Sequence, residues 1–154
     1  MARLYYRGMA ATNGKPKIGR SARLLGVRPG LDIDVSHMLQ GWLDAQGYLY
    51  LEAERNDSGV EVEVAIRHTK GMSTSLSIEG LPPFRKPKAF GGTGRDPLWQ
   101  IDSKHINGDL EAIQDSATHV SIMPRVTMLL ERYEEALAKT QNYWQKVIDD
   151  GVGI

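Results

Sequence analysis

Hydrophobic and polar positions alternate with period two in several short stretches of this chain and settle into a three- and four-residue period only near its C-terminal end. The clearest alternation is Val60-Glu61-Val62-Glu63-Val64-Ala65-Ile66, which sets Val60, Val62, Val64 and Ile66 on one face and Glu61 and Glu63 on a wet one. Tyr48 to Glu54 is rich in strand formers, and Asn56-Asp57-Ser58-Gly59 between the two runs is turn chemistry, so the pair reads as a hairpin. Leu4 to Tyr6 and Leu98-Trp99-Gln100-Ile101 read as further strands. Thr118-His119-Val120-Ser121-Ile122-Met123-Pro124 reads as a strand with a polar leading end, stopped by proline just before an amphipathic helix. That helix is predicted from a Thr127 N-cap to Gly151, with an apolar stripe through Leu130, Tyr133, Leu137, Thr140, Trp144 and Val147 or Ile148. Glu135 and Lys139 stand four apart on its outer side in the favourable order.

Between these elements the punctuation is glycine and proline. Arg20 to Gly26 reads as a short helical turn closed by glycine, with a bend forced after it at Pro29-Gly30. From Glu79 to Pro97 all periodicity is lost, a length that suits either a binding loop or lid, or a surface excursion. Its Gly91-Gly92-Thr93-Gly94-Arg95 run lacks the Gly-Lys-Ser/Thr ending and following helix of a phosphate loop. It reads instead as a hinge, with Arg95 a secondary phosphate contact.

Composition narrows the function classes. A chain of 154 residues, 41% hydrophobic and 25% charged, is expected to fold as a single domain over residues 1–154 with a real core. Nineteen basic residues balance nineteen acidic ones, which argues against a general nucleic-acid binder. Arg20, Arg23 and Arg28 remain as a local basic patch, or as ordinary solvated surface. The absence of cysteine excludes disulfides and thiolate metal sites, and His37, His68 and His105 show no ligand spacing, so no metal is expected. No apolar run reaches bilayer length and no signal core follows the N-terminus, so the expectation is no membrane partner. The protein is expected to be cytoplasmic at synthesis and, if exported into a target cell, to leave through a dedicated secretion machine.

Three segments far apart in the chain each place a polar head group on a strand-like stretch: Leu4-Tyr5-Tyr6-Arg7, Gly71-Met72-Ser73-Thr74-Ser75, and Gln114-Asp115-Ser116 through Pro124, with Met128 following the proline. In order and approximate spacing they resemble the exported toxin family of type VI secretion systems whose fold is similar to mono-ADP-ribosyltransferases. The stretch from Asp32 to Arg67 matches none of its motifs. The resemblance implies an α/β (α+β) fold in which two small mixed or antiparallel sheets form a cleft for NAD, with flanking helices and a long C-terminal helix. It implies that Arg7 holds phosphates or ribose, that Ser73, Thr74 and Ser75 brace the middle strand and the cofactor, and that His119 contacts the ribose or activates the acceptor. Tyr6 joins the cofactor-binding set, and Tyr5, Tyr6 and Trp99 are candidates to stack on the nicotinamide or adenine ring.

The chain departs from the wider superfamily in having no Glu-x-Glu before the final strand; Glu111 and Asp115 are the nearest upstream carboxylates. A neutral imidazole can accept a proton near neutral pH but supplies no negative charge beside a developing cation. By resemblance the activity is transfer of ADP-ribose to a macromolecular acceptor, protein or nucleic acid, or hydrolysis of NAD. A cognate immunity or antitoxin protein that blocks the cleft goes with it. A non-catalytic binding module of the same fold, and an RNA- or nucleotide-handling enzyme, are the competing readings.

Overall fold

In a computed structural model the described residues are 3–33, 41–43, 49–51, 63–64, 71–126 and 128–148. Among them the largest element is a six-stranded sheet built from β1 (Leu4–Gly8), β7 (Met72–Ser75), β8 (Leu98–Asp102), β9 (Leu110–Gln114), β10 (His119–Pro124) and β12 (Gln145–Lys146). The strand order is β12-β8-β1-β7-β10-β9, and every neighbouring pair is antiparallel. Small two-stranded pairings surround it: β2 (Ala11–Thr12) with β3 (Lys15–Pro16), β4 (Gly41–Leu43) with β5 (Leu49–Leu51), and β6 (Glu63–Val64) with β11 (Met128–Leu129). The fold is thus mixed α+β, as expected.

The sheet has one seam, between β1 and β7. β1 meets β8 over five consecutive register pairs, Leu4 opposite Asp102 to Gly8 opposite Leu98. β10 meets β7 over four, from His119–Ser75 to Ile122–Met72. Yet β1 and β7 share one register pair, Tyr6 opposite Ser75. The sheet is therefore two antiparallel halves joined at a single point, which is how the expected pair of small sheets is realised.

Side-chain alternation along the strands sends Tyr5, Trp99, Ile101, Met72, Val120 and Ile122 into one core. Helix α1 (Leu130–Ala138) covers them with Leu130, Tyr133 and Leu137. The Tyr133 hydroxyl donates to the Ile122 carbonyl and accepts from the Met72 N–H, pinning the helix across β7 and β10.

The C-terminal helix is shorter than its stripe predicts. It ends at Ala138, and residues 141–143 form a 3₁₀ turn before the chain extends into β12 along the edge of β8. Thr140 Oγ1 donates to the Leu137 carbonyl at 2.6 Å and accepts from Trp144 Nε1 at 2.9 Å, so both side chains stay buried without α-helical backbone between them. Ile148 is 71% exposed. Thr127 and Gly151, the predicted helix bounds, lie outside the described residues, and Leu129 takes the N-cap place with no side-chain bond. The predicted hairpin also falls mostly outside them; of its described parts, Leu49–Leu51 pairs with Gly41–Leu43 and Glu63–Val64 with Met128–Leu129.

Residues 20–26 make a single turn, the Leu24 N–H donating to the Ser21 carbonyl at 3.2 Å, and no helix follows; the carbonyls of Ser21, Leu24 and Gly26 also accept from Arg7. Ile18 and Leu25 meet in a parallel bridge, and Gly26, at φ 157°, lies where a Cβ would strike the Gly19 carbonyl oxygen at 1.9 Å.

Candidate functional site

Beyond Tyr6–Ser75 the backbones of β1 and β7 separate, and the gap opens into a cleft of about 260 Å³. Arg7, Ser73, Thr74, Ser75, Thr118 and His119 all line it, so the three sequence motifs converge on one cavity. The far wall comes from the Gly26–Asp32 stretch and from the segment carrying Gly80, Leu81, Pro82 and Arg85.

Arg7 spans the seam. Its Nη1 donates to the Ser73 carbonyl at 2.8 Å, while Nε and Nη2 donate to the Leu24 carbonyl at 3.3 and 2.8 Å. Longer bonds of 3.4 Å reach the carbonyls of Ser21 and Gly26. Of the five N–H groups of a guanidinium, one on Nη1 remains for a ligand. Burial draws the Arg7 pKa down to about 10, with Asp32 pulling the other way and Arg85 adding to the fall.

Among the three hydroxyl residues of β7, Thr74 Oγ1 donates to the Val120 carbonyl at 2.9 Å and Ser75 Oγ to the Ser77 carbonyl at 2.7 Å. These two tie the strand to its surroundings. Ser73 is exposed, on the cleft lining, and its side chain has no such tie among the described residues.

His119 stands at the head of β10 opposite Ser75 and is one of the lining residues. Its Nδ1 lies 2.6 Å from Asp115 Oδ1, and the other carboxylate oxygen accepts from Ser121 Oγ at 3.3 Å. Asp115 is therefore aimed, but at His119; neither it nor Glu111 is part of the lining. The negative group among the described lining residues is Asp32. Burial pushes its carboxyl up, but the bonds from the Arg28 side chain and backbone N–H outweigh that and hold it below its ordinary value.

Several sequence expectations meet a different arrangement. Tyr6 is paired with Ser75 at the seam but is not on the cleft lining. Tyr5 and Trp99 are in the core, the latter donating from Nε1 to the Met9 carbonyl at 2.9 Å, so neither stacks in the cleft. The described lining carries no phenyl, phenol or indole ring; the apolar side chains outside the core that line it are Ala22, Leu81 and Pro82. In the glycine run, Gly92 and Gly94 are closely packed, since a Cβ there would meet the Lys86 carbonyl oxygen at 2.1 Å or the Phe84 carbonyl oxygen at 2.7 Å, while Gly91 takes a φ of 86° in open space. Arg95 does not reach the cleft; Arg85 from the same segment does. Arg20, Arg23 and Arg28 are no open basic patch, since each pairs with a carboxylate, Glu134, Asp96 and Asp32 respectively. Among the described residues no acid, histidine or cysteine cluster could hold a metal. Nor is any described helix long and apolar enough to cross a membrane. His37 and His68 lie outside the described residues, while His105 stacks on Tyr143 with ring centroids 4.0 Å apart.

A family model for the Tse2 ADP-ribosyltransferase toxin matches residues 3–144. The chain belongs to that family. No curated protein and no solved structure matches it. The matched span of this Tse2-family toxin covers every strand of the large sheet except β12, together with the seam and helix α1. Sequence reasoning missed Arg28, Asp32 and Arg85 as walls of the cleft, because all three lie in loops without a motif of their own. The pairing of Asp115 with His119 was open to it: the two residues bracket a short polar loop and so face each other as the closing pair of a hairpin.

Proposed function

We propose that this toxin binds NAD in the cleft and transfers its ADP-ribose to a macromolecular acceptor, with hydrolysis of NAD as the outcome when water takes the acceptor's place. The observation that carries this is the convergence of Arg7, Ser73 and His119, from three distant motifs, on the opening where β1 and β7 part. Family membership supports the reaction class.

The lining suits such a ligand. Three guanidiniums, Arg7, Arg28 and Arg85, face one carboxylate, Asp32, which leaves a positive excess for a pyrophosphate. Arg28 is paired with Asp32 and most of Arg7 with backbone carbonyls, which leaves Arg85 and the remaining Nη1–H of Arg7 as the donors for it. Leu81 and Pro82 offer apolar surface to the nicotinamide ring. A cavity of about 260 Å³ is smaller than a typical site for a whole drug-sized ligand, so it takes the nicotinamide-ribose end while the adenosine end extends past its lip.

In the reaction the bond between the ribose C1 carbon and the nicotinamide nitrogen breaks, its electron pair leaving with nicotinamide. An acceptor oxygen or nitrogen bonds to that carbon and gives up a proton. His119 is the group on the lining suited to take that proton or to hold a ribose hydroxyl. Ser73 Oγ is placed to hydrogen-bond the ribose, and Thr74 and Ser75 keep β7 in position.

Such a toxin acts in the cytoplasm of a target cell, delivered by a type VI secretion system. A cognate immunity protein that covers the cleft protects the producer. The test is incubation of the purified protein with labelled NAD and a bacterial lysate, beside His119→Ala. Label on a macromolecule, or nicotinamide release, that the substitution abolishes supports the reading. NAD affinity without turnover points to a binding module instead, and absence of both overturns it.

A further inference from the structure

The hairpin joining β9 to β10 closes with Asp115 opposite His119, the Asp115 N–H donating to the His119 carbonyl at 3.1 Å. Three small residues, Ser116, Ala117 and Thr118, make the loop, and Ser116 Oγ accepts from the His119 N–H at 2.9 Å. This geometry fixes where the two side chains sit. The Asp115 carboxylate is 19% exposed against 39% for the imidazole, so the acid is the inner member of the pair. Its Oδ1 meets His119 Nδ1 at 2.6 Å and its Oδ2 accepts from the buried Ser121 hydroxyl, so both oxygens are engaged by β10. An ionised carboxylate only accepts hydrogen bonds, so Nδ1 must carry the proton in this contact.

We infer that Asp115 is a positioning residue: it holds neutral His119 with its proton on Nδ1 and presents Nε2 to the cleft as an acceptor. This rests on the reading of the cleft as the reaction site. It makes the histidine a base toward a hydroxyl or amine in the cleft, where the opposite tautomer would present an N–H. The carboxylate that the sequence lacks as Glu-x-Glu thus acts through the imidazole, from Asp115 at the closing end of the hairpin.

The test reads the tautomer directly, from the ring ¹⁵N shifts of His119 in labelled full-length protein, assigned against His119→Gln. In the native protein, neutral His119 is expected with protonated Nδ1 and unprotonated Nε2. Asp115→Ala is expected to move the proton toward Nε2 and to lower kcat for NAD turnover on the order of 10²-fold with little change in KM. A native ring protonated on Nε2, a tautomer that ignores Asp115→Ala, or undiminished turnover despite a changed tautomer would each overturn the inference. Native protein that turns over no NAD removes the proposed reaction, while the native ¹⁵N shifts still decide what Asp115 does to His119.

Discussion

Arg7 Nη1 and the Ser73 carbonyl oxygen, 2.8 Å apart, replace a backbone bond that the sheet gives up where β1 and β7 part. A strand that leaves its neighbour strands its carbonyls, and a buried carbonyl without a donor is costly. Arg7 answers several at once, on both β7 and the Leu24 loop, and so holds the cleft open at a fixed width.

It follows that Arg7→Lys is chiefly a folding change. Lysine keeps the charge but cannot reach Ser73 and Leu24 together with a planar fork. The substitution is expected to lower stability by about 1–3 kcal/mol, seen as a lower urea midpoint with an unchanged slope. Unaltered stability combined with lost NAD binding would mean that Arg7 serves the ligand first and the fold second.

Tyr133 does for the other half of the sheet what Arg7 does for the seam, bonding Met72 and Ile122 from the helix. Burial raises its phenol pKa well above the ordinary value, so the folded protein keeps a proton that the unfolded chain releases. The stability this contributes is fully present below about pH 10 and is lost as pH rises above it. Arg7, whose pKa is lowered, acts in the opposite direction over the same range. Tyr133→Phe is expected to lose about 1–3 kcal/mol at neutral pH through the two bonds. Its stability should also fall less than that of the unsubstituted protein between about pH 9 and about pH 11. Denaturant melts of both proteins across that range check this, and parallel curves would rule the phenol out as the titrating group.

The strand motifs were legible because each carries its own local pattern. β1, β8 and β10 lie where Leu4-Tyr5-Tyr6, Leu98 to Ile101 and His119 to Met123 place them. The convergence of Arg7, Ser73 and His119 came from the family resemblance, because alternation says which face a residue takes but not which strands are neighbours. The C-terminal stripe shows the converse limit. Leu130, Tyr133, Leu137, Thr140 and Trp144 are all buried as their spacing suggests, but only the first three sit on the helix. A side-chain hydrogen bond, Trp144 to Thr140, keeps the burial pattern while the backbone changes. Arg85 and Arg28 were illegible for a different reason: their positions are set by long loops whose course depends on tertiary contacts such as Gly8 against the Arg85 carbonyl, where a Cβ would come within 2.3 Å.

Thr140→Val isolates that bond, since valine keeps the shape and removes the acceptor for the Trp144 indole N–H. With the N–H buried and unpaired, a loss of about 1–3 kcal/mol is expected. Because Trp144 leads into β12, backbone amide exchange at Gln145 and Lys146 should rise as well. Stability within about 0.5 kcal/mol of the unsubstituted protein would show that the indole finds water or another acceptor.

Arg85 is the cation through which ligand and fold can be told apart. Arg7 is committed to backbone carbonyls and Arg28 to Asp32, whereas the Arg85 guanidinium makes no ion pair among the described residues and lies over the Phe84 ring at 4.8 Å. Burial lowers its pKa, and the charge of Arg28 lowers it further, so an anion entering the cleft relieves both penalties. Arg85→Ala is therefore expected to weaken NAD binding by roughly 10- to 100-fold, the loss of charge-assisted hydrogen bonds, while stability holds or rises slightly. Arg95→Ala, altering a side chain outside the lining, should change neither. Calorimetric titration with NAD alongside thermal melts of the same samples separates the two effects. Equal affinities for Arg85→Ala, Arg95→Ala and the unsubstituted protein would move the phosphate-binding role off this wall of the cleft.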